Sequence, residues 1–134
     1  MRRLVISLLL VCVALAGIAP SDAQAQGPNG RKFVVFFEEW SAAVDDSARG
    51  IIIDAAQLAL SVPNIAVQVT GFADPGGSRR ANQLLSELRA QVVVDMLREH
   101  GVGQTRMHLS GRGAVPFALS SQEARRVEIF VPVR

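Results

Sequence analysis

Apolar and polar residues follow one another along the chain in patterns that predict four strands and two helices. Strands are predicted at residues 32–37, 65–71, 107–111 and 126–133. The first contains an almost unbroken apolar run from Phe33 to Phe37, which is typical of a strand covered on both faces. The second alternates between apolar and polar residues, as a strand with one buried face does. Pro132 near the end of the last strand indicates an edge strand or a strand terminus.

The two helices are predicted from apolar residues at helical spacing. The first follows Asp45, a good N-cap residue, and ends near Ser61. Its apolar positions are Ala48, Ile51, Ile52, Ala55, Leu58 and Ala59. The second runs from about Ser78 to His100. Its predicted buried stripe consists of Ala81, Leu84, Leu85, Leu88, Val92 and Met96.

The element order is β-α-β-α-β-β, without an internal repeat. It predicts an α/β sandwich of the α+β type, with two helices packed on one face of a mixed four-stranded sheet. The β-α-β connections imply parallel pairing, whereas the final pair of strands is not expected to be all parallel. A length of 134 residues fits one such domain.

The first 25 residues have the organisation of a cleavable signal peptide. Arg2 and Arg3 precede an apolar run from Leu4 to Ala19, and Ala23-Gln24-Ala25 supplies the small residues that a signal peptidase reads. The expected division is a signal peptide at residues 1–25, a short linker at 26–31 and a domain at 32–134. The alternative is an uncleaved inner-membrane helix, although the run is shorter than the ~20 apolar residues of a typical spanning helix.

Cys12 is the only cysteine and lies inside this apolar run. A lipoprotein signal would place a small residue before the cysteine and end the run there, whereas Val11 precedes Cys12 here. Lipidation is therefore not expected. The chain after cleavage would contain no thiol and no disulfide, which suits the periplasm.

The charges of the chain are nearly balanced once the first 25 residues are set aside. Two of the 14 basic and one of the 12 acidic residues precede residue 26, which leaves a net charge near +1. The isoelectric point of about 9.5 owes part of its value to Arg2 and Arg3. Neither a basic field nor interleaved aromatic and basic residues indicate nucleic-acid binding.

The sequence contains no set of residues that indicates catalysis, a metal site or a cofactor. His100 and His108 are predicted at a helix C-terminus and on a strand, without a nucleophile or further metal ligands beside them. Glu38 and Glu39 would point to opposite faces of a strand, so they form a poor acid–base pair. The glycine-rich segment from Gly71 to Arg80 lacks the Gly-Lys-Ser/Thr of a phosphate-binding loop. A non-catalytic protein is expected.

The segment from Gly71 to Ala90 combines a strand end, an acidic glycine-rich loop and a helix start. Asp74 in such a loop can receive an ammonium group, and the free N–H groups of the helix start can receive a carboxylate. The alternative is that Asp74 only shapes its turn. Asn82 and Arg89 project about 20° apart around the helix axis, so both can line the rim of a groove. The alternative for Arg89 is a solvated surface residue or half of an ion pair. Spacing alone does not connect Asp74 with Arg89.

The same segment resembles the signature of the OmpA-like peptidoglycan-binding domain family. The matching residues are Gly71-Phe72-Ala73-Asp74, Gly77 and Asn82-Gln83-Leu84-Leu85-Ser86-Glu87-Leu88-Arg89-Ala90. Further matches follow in order at Gly101-Val102, Gly111-Arg112-Gly113, Pro116 and Arg125-Arg126-Val127-Glu128-Ile129. The resemblance extends over residues 32–133.

The resemblance implies non-covalent binding of peptidoglycan through the diaminopimelate of its stem peptide. By position, Asp74 matches the acid that holds the ligand's ammonium, and Arg89 matches the arginine that holds its carboxylate. Asn82 matches an asparagine that supports the loop and the ligand, and Arg126 matches an arginine that helps to close the site. The implied ligand-binding set is Asp74, Arg89, Asn82, Phe72, Ala73, Gly77 and Arg126.

Four positions depart from the family pattern. Phe72 stands where the family usually has His, Ala73 where it has Thr, Ala124 where it has Asn, and Trp40 where an acid is common. Each lost hydroxyl or amide contact is expected to weaken binding by roughly 0.5–1.5 kcal/mol. The two charged anchors remain, so the class of ligand is expected to be the same.

The expected protein is a periplasmic, envelope-associated module of a Gram-negative-type bacterium. Its expected partners are peptidoglycan and other envelope proteins, with no membrane span after cleavage. The alternatives are an inner-membrane-anchored protein of a motor- or transporter-type complex and a wall-active enzyme. On the main interpretation, Asp74→Ala and Arg89→Ala each abolish binding to sacculi and leave the fold intact.

Overall fold

A computed structural model describes residues 29–115 and 121–133 of the chain. The strands are β1 (Gly30–Phe36), β2 (Val67–Ala73), β3 (Met107–Ala114) and β4 (Arg126–Pro132). The helices are α1 (Asp46–Ser61), α2 (Arg79–Glu99) and the four-residue α3 (Ser121–Ala124), with a 3-10 turn at Gln104–Arg106. The predicted order of strands and long helices is confirmed. The predicted signal peptide, residues 26–28 of the predicted linker and Pro116 lie outside the described residues.

β4 lies inside the sheet although it comes last in the sequence. The strand order is β1-β4-β2-β3. β4 pairs antiparallel with β1 and with β2, whereas β2 pairs parallel with β3, so the sheet is mixed as predicted. Pro132 is at the terminus of β4, where it pairs with Gly30. The prediction of a strand terminus is therefore confirmed, and the edge-strand alternative is wrong.

β1 begins two residues earlier than predicted. Gly30 and Arg31 are register partners of Pro132 and Val131 in β4, and this pairing brings them into the strand. The predicted boundary between linker and domain at residue 31 therefore lies within β1.

β1 is covered on one face only. Phe33, Val35 and Phe37 are buried, whereas Phe36 on the other face is 42% exposed. Side chains from both long helices meet this single face of the sheet in one apolar core. The prediction of two helices on one face is confirmed, and for the same reason the prediction that β1 is covered on both faces is wrong.

α1 forms as the sequence predicts, and an unexpected arginine closes its end. Asp45 is the N-cap, and its Oδ1 accepts a hydrogen bond from Ala48 N at 2.7 Å. At the other end, Arg106 Nη2 donates to the carbonyls of Ala59 and Val62, each at 2.9 Å. Since the last carbonyls of a helix have no partner within the helix, the guanidinium of Arg106 satisfies them.

α2 has the predicted length but a different buried face. Leu84 and Leu88 of the predicted stripe are 54% and 53% exposed. The buried residues of α2 are Asn82, Ser86, Arg89, Ala90, Val93, Val94, Met96 and Leu97. Of these, Met96 alone belongs to the predicted stripe. At 100° per residue, the centre of this face is rotated by roughly 120° from the predicted stripe. The prediction of the buried stripe is confirmed at Met96 and wrong in its orientation, because Asn82, Ser86 and Arg89 of α2 face the sheet.

Two glycines explain how a polar helix face can pack on the sheet. Gly71 of β2 and Gly111 of β3 are register partners. A β-carbon at Gly71 would collide with the Ser86 carbonyl, and one at Gly111 would lie 2.7 Å from the Glu87 nitrogen. The backbone of α2 therefore approaches the sheet closely at this pair. The small side chain of Ser86 fits there, and its Oγ accepts a hydrogen bond from Gly113 N at 2.8 Å.

Candidate functional site

Asp74 follows directly after β2 and begins the loop to α2. Its Oδ1 accepts a hydrogen bond from Gly76 N at 3.2 Å, so the carboxylate shapes its turn. Its Oδ2 accepts from Arg125 Nη1 at 3.4 Å, and both side chains are 15% exposed. Asp74 is therefore a partly accessible carboxylate beside a cation.

Arg89 is fully buried, with a relative exposure of 0%. Its guanidinium donates from Nε to Ser41 O at 2.8 Å, from Nη2 to Glu38 O at 2.9 Å and from Nη1 to Phe72 O at 3.1 Å. These bonds tie the segment after β1 to the end of β2. The prediction that Arg89 lines the rim of a groove and the alternative of a solvated surface residue are both wrong, because α2 turns this side chain toward the sheet.

Asp74 lies close to both Arg89 and Arg125. Burial lowers the pKa of the Arg89 guanidinium, the charge of Asp74 opposes this shift, and the charge of Arg125 adds to it. Arginine nevertheless keeps its proton in proteins. One carboxylate therefore faces two cations, and this excess of positive charge favours a further anion at the cluster.

Arg126 packs against the ring of Phe72, and its guanidinium donates hydrogen bonds to a carbonyl of α3 and to a carboxylate of β4. The guanidinium carbon of Arg126 is 4.1 Å from the ring centre, and its Nε donates to Glu128 Oε1 at 3.2 Å. The cation beside Asp74 is the preceding residue, Arg125. Arg125 lies in the bend between α3 and β4, whereas Arg126 is the first residue of β4. The two side chains therefore leave the chain in different surroundings, and Arg125 is the one that bonds to Asp74.

Asn82 and Gly77 line a cleft of about 430 Å³ beside the Asp74 loop, together with Arg79 and Arg112. Asn82 is 2% exposed. Among the described residues, its Oδ1 is the one buried side-chain oxygen or nitrogen without a hydrogen-bond partner. Gly77 has a φ of +83°, a conformation that glycine adopts without the strain of a β-carbon.

Phe72 and Ala73 contribute backbone to the site. The carbonyl of Phe72 binds Arg89, as described above, and Ala73 O accepts from Val115 N at 3.0 Å. The structure thus brings together Asp74, Arg89 and the Phe72 carbonyl, with Asn82 and Gly77 at the adjoining cleft.

Sequence reasoning missed three partners in the site. These are the Arg125 guanidinium and the carbonyls of Glu38 and Ser41. The adjacent residues Arg125 and Arg126 indicate in the sequence that a cation is present here. They do not indicate which of the two reaches Asp74. A main-chain carbonyl is present at every position and carries no signal in the sequence.

The sequence model of the OmpA family matches residues 36–128. The chain belongs to the OmpA family. No curated protein sequence matches it.

Solved structures agree with this OmpA-family assignment. The peptidoglycan-associated lipoprotein from Burkholderia pseudomallei is 26% identical, with a TM-score of 0.69 over 74% of this chain and 90% of that chain. Two further structures, at lower identity, share the fold. The OmpA-like domain of FopA1 from Francisella tularensis is 20% identical, with a TM-score of 0.67 over 89% of this chain and 92% of that chain. The periplasmic domain of Helicobacter pylori MotB is 23% identical, with a TM-score of 0.67 over 81% of this chain and 76% of that chain.

Neither a membrane-spanning helix nor a cluster of metal ligands is found in the described part of this OmpA-family chain. Over residues 29–115 and 121–133, no helix has the length and apolar character needed to cross a membrane. Within the same ranges, His, Cys, Asp and Glu side chains form no group of three or more that could hold a metal ion.

Proposed function

We propose that this chain is a non-catalytic module of the bacterial cell envelope that binds peptidoglycan non-covalently. The bound group is the diaminopimelate of the stem peptide, with its ammonium on Asp74 and its carboxylate on Arg89. The observation that carries the proposal is the cluster of Asp74, Arg89 and Arg125 at the positions of the family signature. One similar structure, 26% identical, is that of a peptidoglycan-associated lipoprotein.

Asp74 has the capacity to accept an ammonium group. An ionised carboxylate has about four acceptor positions, and Asp74 uses one for Gly76 N and one for Arg125. The contact with Arg125 is 3.4 Å long, whereas a strong charge-assisted N–H···O bond is about 2.7–2.9 Å. The pair is therefore loose, and an ammonium can enter beside Arg125 or replace it.

The two arginines supply the complementary charge for the ligand's carboxylate. When an ammonium occupies Asp74, Arg125 becomes available to the same ligand, next to Arg89. A ligand with both charges on one carbon, as at the end of the diaminopimelate side chain, matches this neighbouring arrangement of one acid and two cations. A ligand that carries only the ammonium would leave the excess positive charge of the cluster without a partner.

The proposal is tested by sedimentation of the protein with purified sacculi that contain diaminopimelate. Asp74→Asn keeps the shape of the side chain and removes its charge, so binding should weaken about 10- to 100-fold, as expected for one charged hydrogen bond. Asp54→Asn is the matched control, because Asp54 is exposed on α1, and it should bind like the wild type. Sedimentation of Asp74→Asn equal to that of the wild type would contradict the assignment of Asp74.

The diaminopimelate itself is tested with sacculi that carry lysine in its place. Lysine keeps the side-chain ammonium and lacks the side-chain carboxylate, so binding should fall by about 10-fold or more, the strength of one charge-assisted pair. Equal sedimentation with both kinds of sacculi would show that the ligand is another part of the wall.

We also propose that the chain is exported to the periplasm by residues 1–25. The support is the signal-peptide pattern of Arg2, Arg3 and the apolar run that ends at Ala19. Mass spectrometry of the native protein should give a chain that begins at Gln26. An intact N-terminus would instead indicate an anchor in the inner membrane.

A further inference from the structure

The turn from Glu38 to Ser41 covers one particular edge of the Arg89 guanidinium. Nε and Nη2 lie along one edge of an arginine, and this edge can hold both oxygens of a carboxylate. In this structure Nε donates to Ser41 O at 2.8 Å and Nη2 to Glu38 O at 2.9 Å. The two carbonyl oxygens therefore occupy the positions that the two oxygens of a bound carboxylate would take.

The turn that presents these carbonyls is held in a strained conformation. Ser41 N donates to Glu38 O at 3.2 Å, which closes a four-residue turn. Trp40, the third residue of the turn, has a φ of +53°. A positive φ at this position favours glycine or asparagine, and a bulky residue there is held only by its surroundings.

The Trp40 ring supplies the contact that holds the turn down. It lies on Gly77, where a β-carbon would collide with the ring, and its Cζ2 is 3.9 Å from the position of a β-carbon on Gly76. Trp40 is nevertheless 53% exposed, so its ring is a surface cover and not part of the apolar core. The ring thus joins the turn above Arg89 to the loop that carries Asp74.

We propose that Trp40 determines ligand affinity, because its turn is a closed lid on the carboxylate-binding edge of Arg89. This inference rests on the proposed function. On binding, the ligand's carboxylate replaces the Glu38 and Ser41 carbonyls, and the Trp40 ring leaves Gly77. Arg89 stays in position meanwhile, because Phe72 O holds its Nη1 from β2. The lid therefore competes with the ligand, and a weaker lid gives tighter binding.

Affinity for a soluble probe tests the direction of this effect. The probe is the disaccharide tripeptide released from diaminopimelate-containing peptidoglycan. Trp40→Ala keeps a β-carbon in the strained turn and removes the ring, so binding should tighten about three- to tenfold, the usual strength of one aromatic packing contact. Trp40→Phe keeps an aromatic ring and should bind nearly as the wild type does. Trp40→Ala that binds no more tightly than the wild type would overturn the inference.

Fluorescence reports the movement of the lid directly, because Trp40 is the only tryptophan of the chain. Saturation with the same muropeptide should shift its emission to longer wavelength as the ring moves from Gly77 into water. The matched control is the double variant Trp40→Phe, Leu60→Trp, which carries its tryptophan at an exposed position of α1. Its emission should stay constant. Unchanged emission of wild-type Trp40 at saturation would contradict the movement of the lid.

A measurement without ligand separates this inference from the proposed function. The exchange of the Arg89 Nε proton with water, followed by NMR, should be about tenfold faster in Trp40→Ala, because the lid then opens more often. If exchange is faster in Trp40→Ala and no muropeptide binds, the lid is supported and the proposed ligand is refuted. If the wild type binds the muropeptide and exchange is unchanged in Trp40→Ala, the lid is refuted and the proposed function is supported.

Discussion

Replacement of Arg89 should destabilise the fold, in contrast to the expectation that such a change leaves it intact. Arg89 is buried and donates three hydrogen bonds to main-chain carbonyls. A hydrogen bond from a charged donor contributes about 1.5–3 kcal/mol. Water can replace the guanidinium at the Glu38 and Ser41 carbonyls of the surface turn. The loss of stability is therefore smaller than the sum of three hydrogen-bond contributions. We expect Arg89→Met to lower the free energy of unfolding by about 3–5 kcal/mol, as for a broken buried charged network.

The measurement is urea denaturation followed by circular dichroism, with comparison of midpoints at constant slope. Arg89→Lys keeps the charge but can reach fewer carbonyls, so its loss should be smaller, about 1.5–3 kcal/mol. Arg79→Met is the control on the same helix, because Arg79 is exposed, and it should change stability by less than about 0.5 kcal/mol. A loss below about 1 kcal/mol in Arg89→Met would refute a structural role of the three bonds. Wall binding by Arg89 variants should therefore be interpreted together with their stability.

Two further predictions concern the packing of α2. Gly71→Ala should lower the free energy of unfolding by about 3 kcal/mol or more, because its β-carbon would meet the Ser86 carbonyl. Gly50→Ala on α1 has nothing within 4 Å of its β-carbon. It should raise the free energy of unfolding by about 0.5–1 kcal/mol. Thermal unfolding of the two variants checks the contrast, and equal losses would contradict a close approach of α2 at Gly71. Leu84→Ser and Leu88→Ser should each lower the free energy of unfolding by less than about 1 kcal/mol, because both side chains are half exposed. Leu97→Ala in the core should lower it by about 2–5 kcal/mol. Losses of similar size at Leu88 and Leu97 would indicate that Leu88 is buried, as the sequence predicts.

The elements could be predicted from the sequence wherever local periodicity decides them. The start of α1 at Asp45 and the alternation of β2 depend on residues close together in the chain, and both predictions are confirmed. The rotation of α2 depends instead on where Gly71 and Gly111 lie in the folded sheet. Those two glycines are 40 positions apart in the sequence and become neighbours only through the parallel pairing of β2 and β3.

The candidate site could be predicted from the sequence in part. The family signature led to Asp74 and Arg89, which the structure brings close together. The role of Arg125 depends on which side of the chain each residue faces at the start of β4. The carbonyls of Glu38 and Ser41 depend on the path of a turn whose Trp40 adopts a backbone conformation that tryptophan rarely takes.

The interior position of β4 has a consequence for the kinetics of folding. β1 is joined to the rest of the sheet through β4, so register pairs such as Gly30 with Pro132 close a loop of nearly the whole domain. Contacts of such high contact order form slowly. A nascent chain that lacks its last strand can pair β2 with β3, but its β1 has no neighbour among the described strands. Arg125 reaches Asp74 with that same final segment, so the charge cluster is completed in the step that completes the sheet.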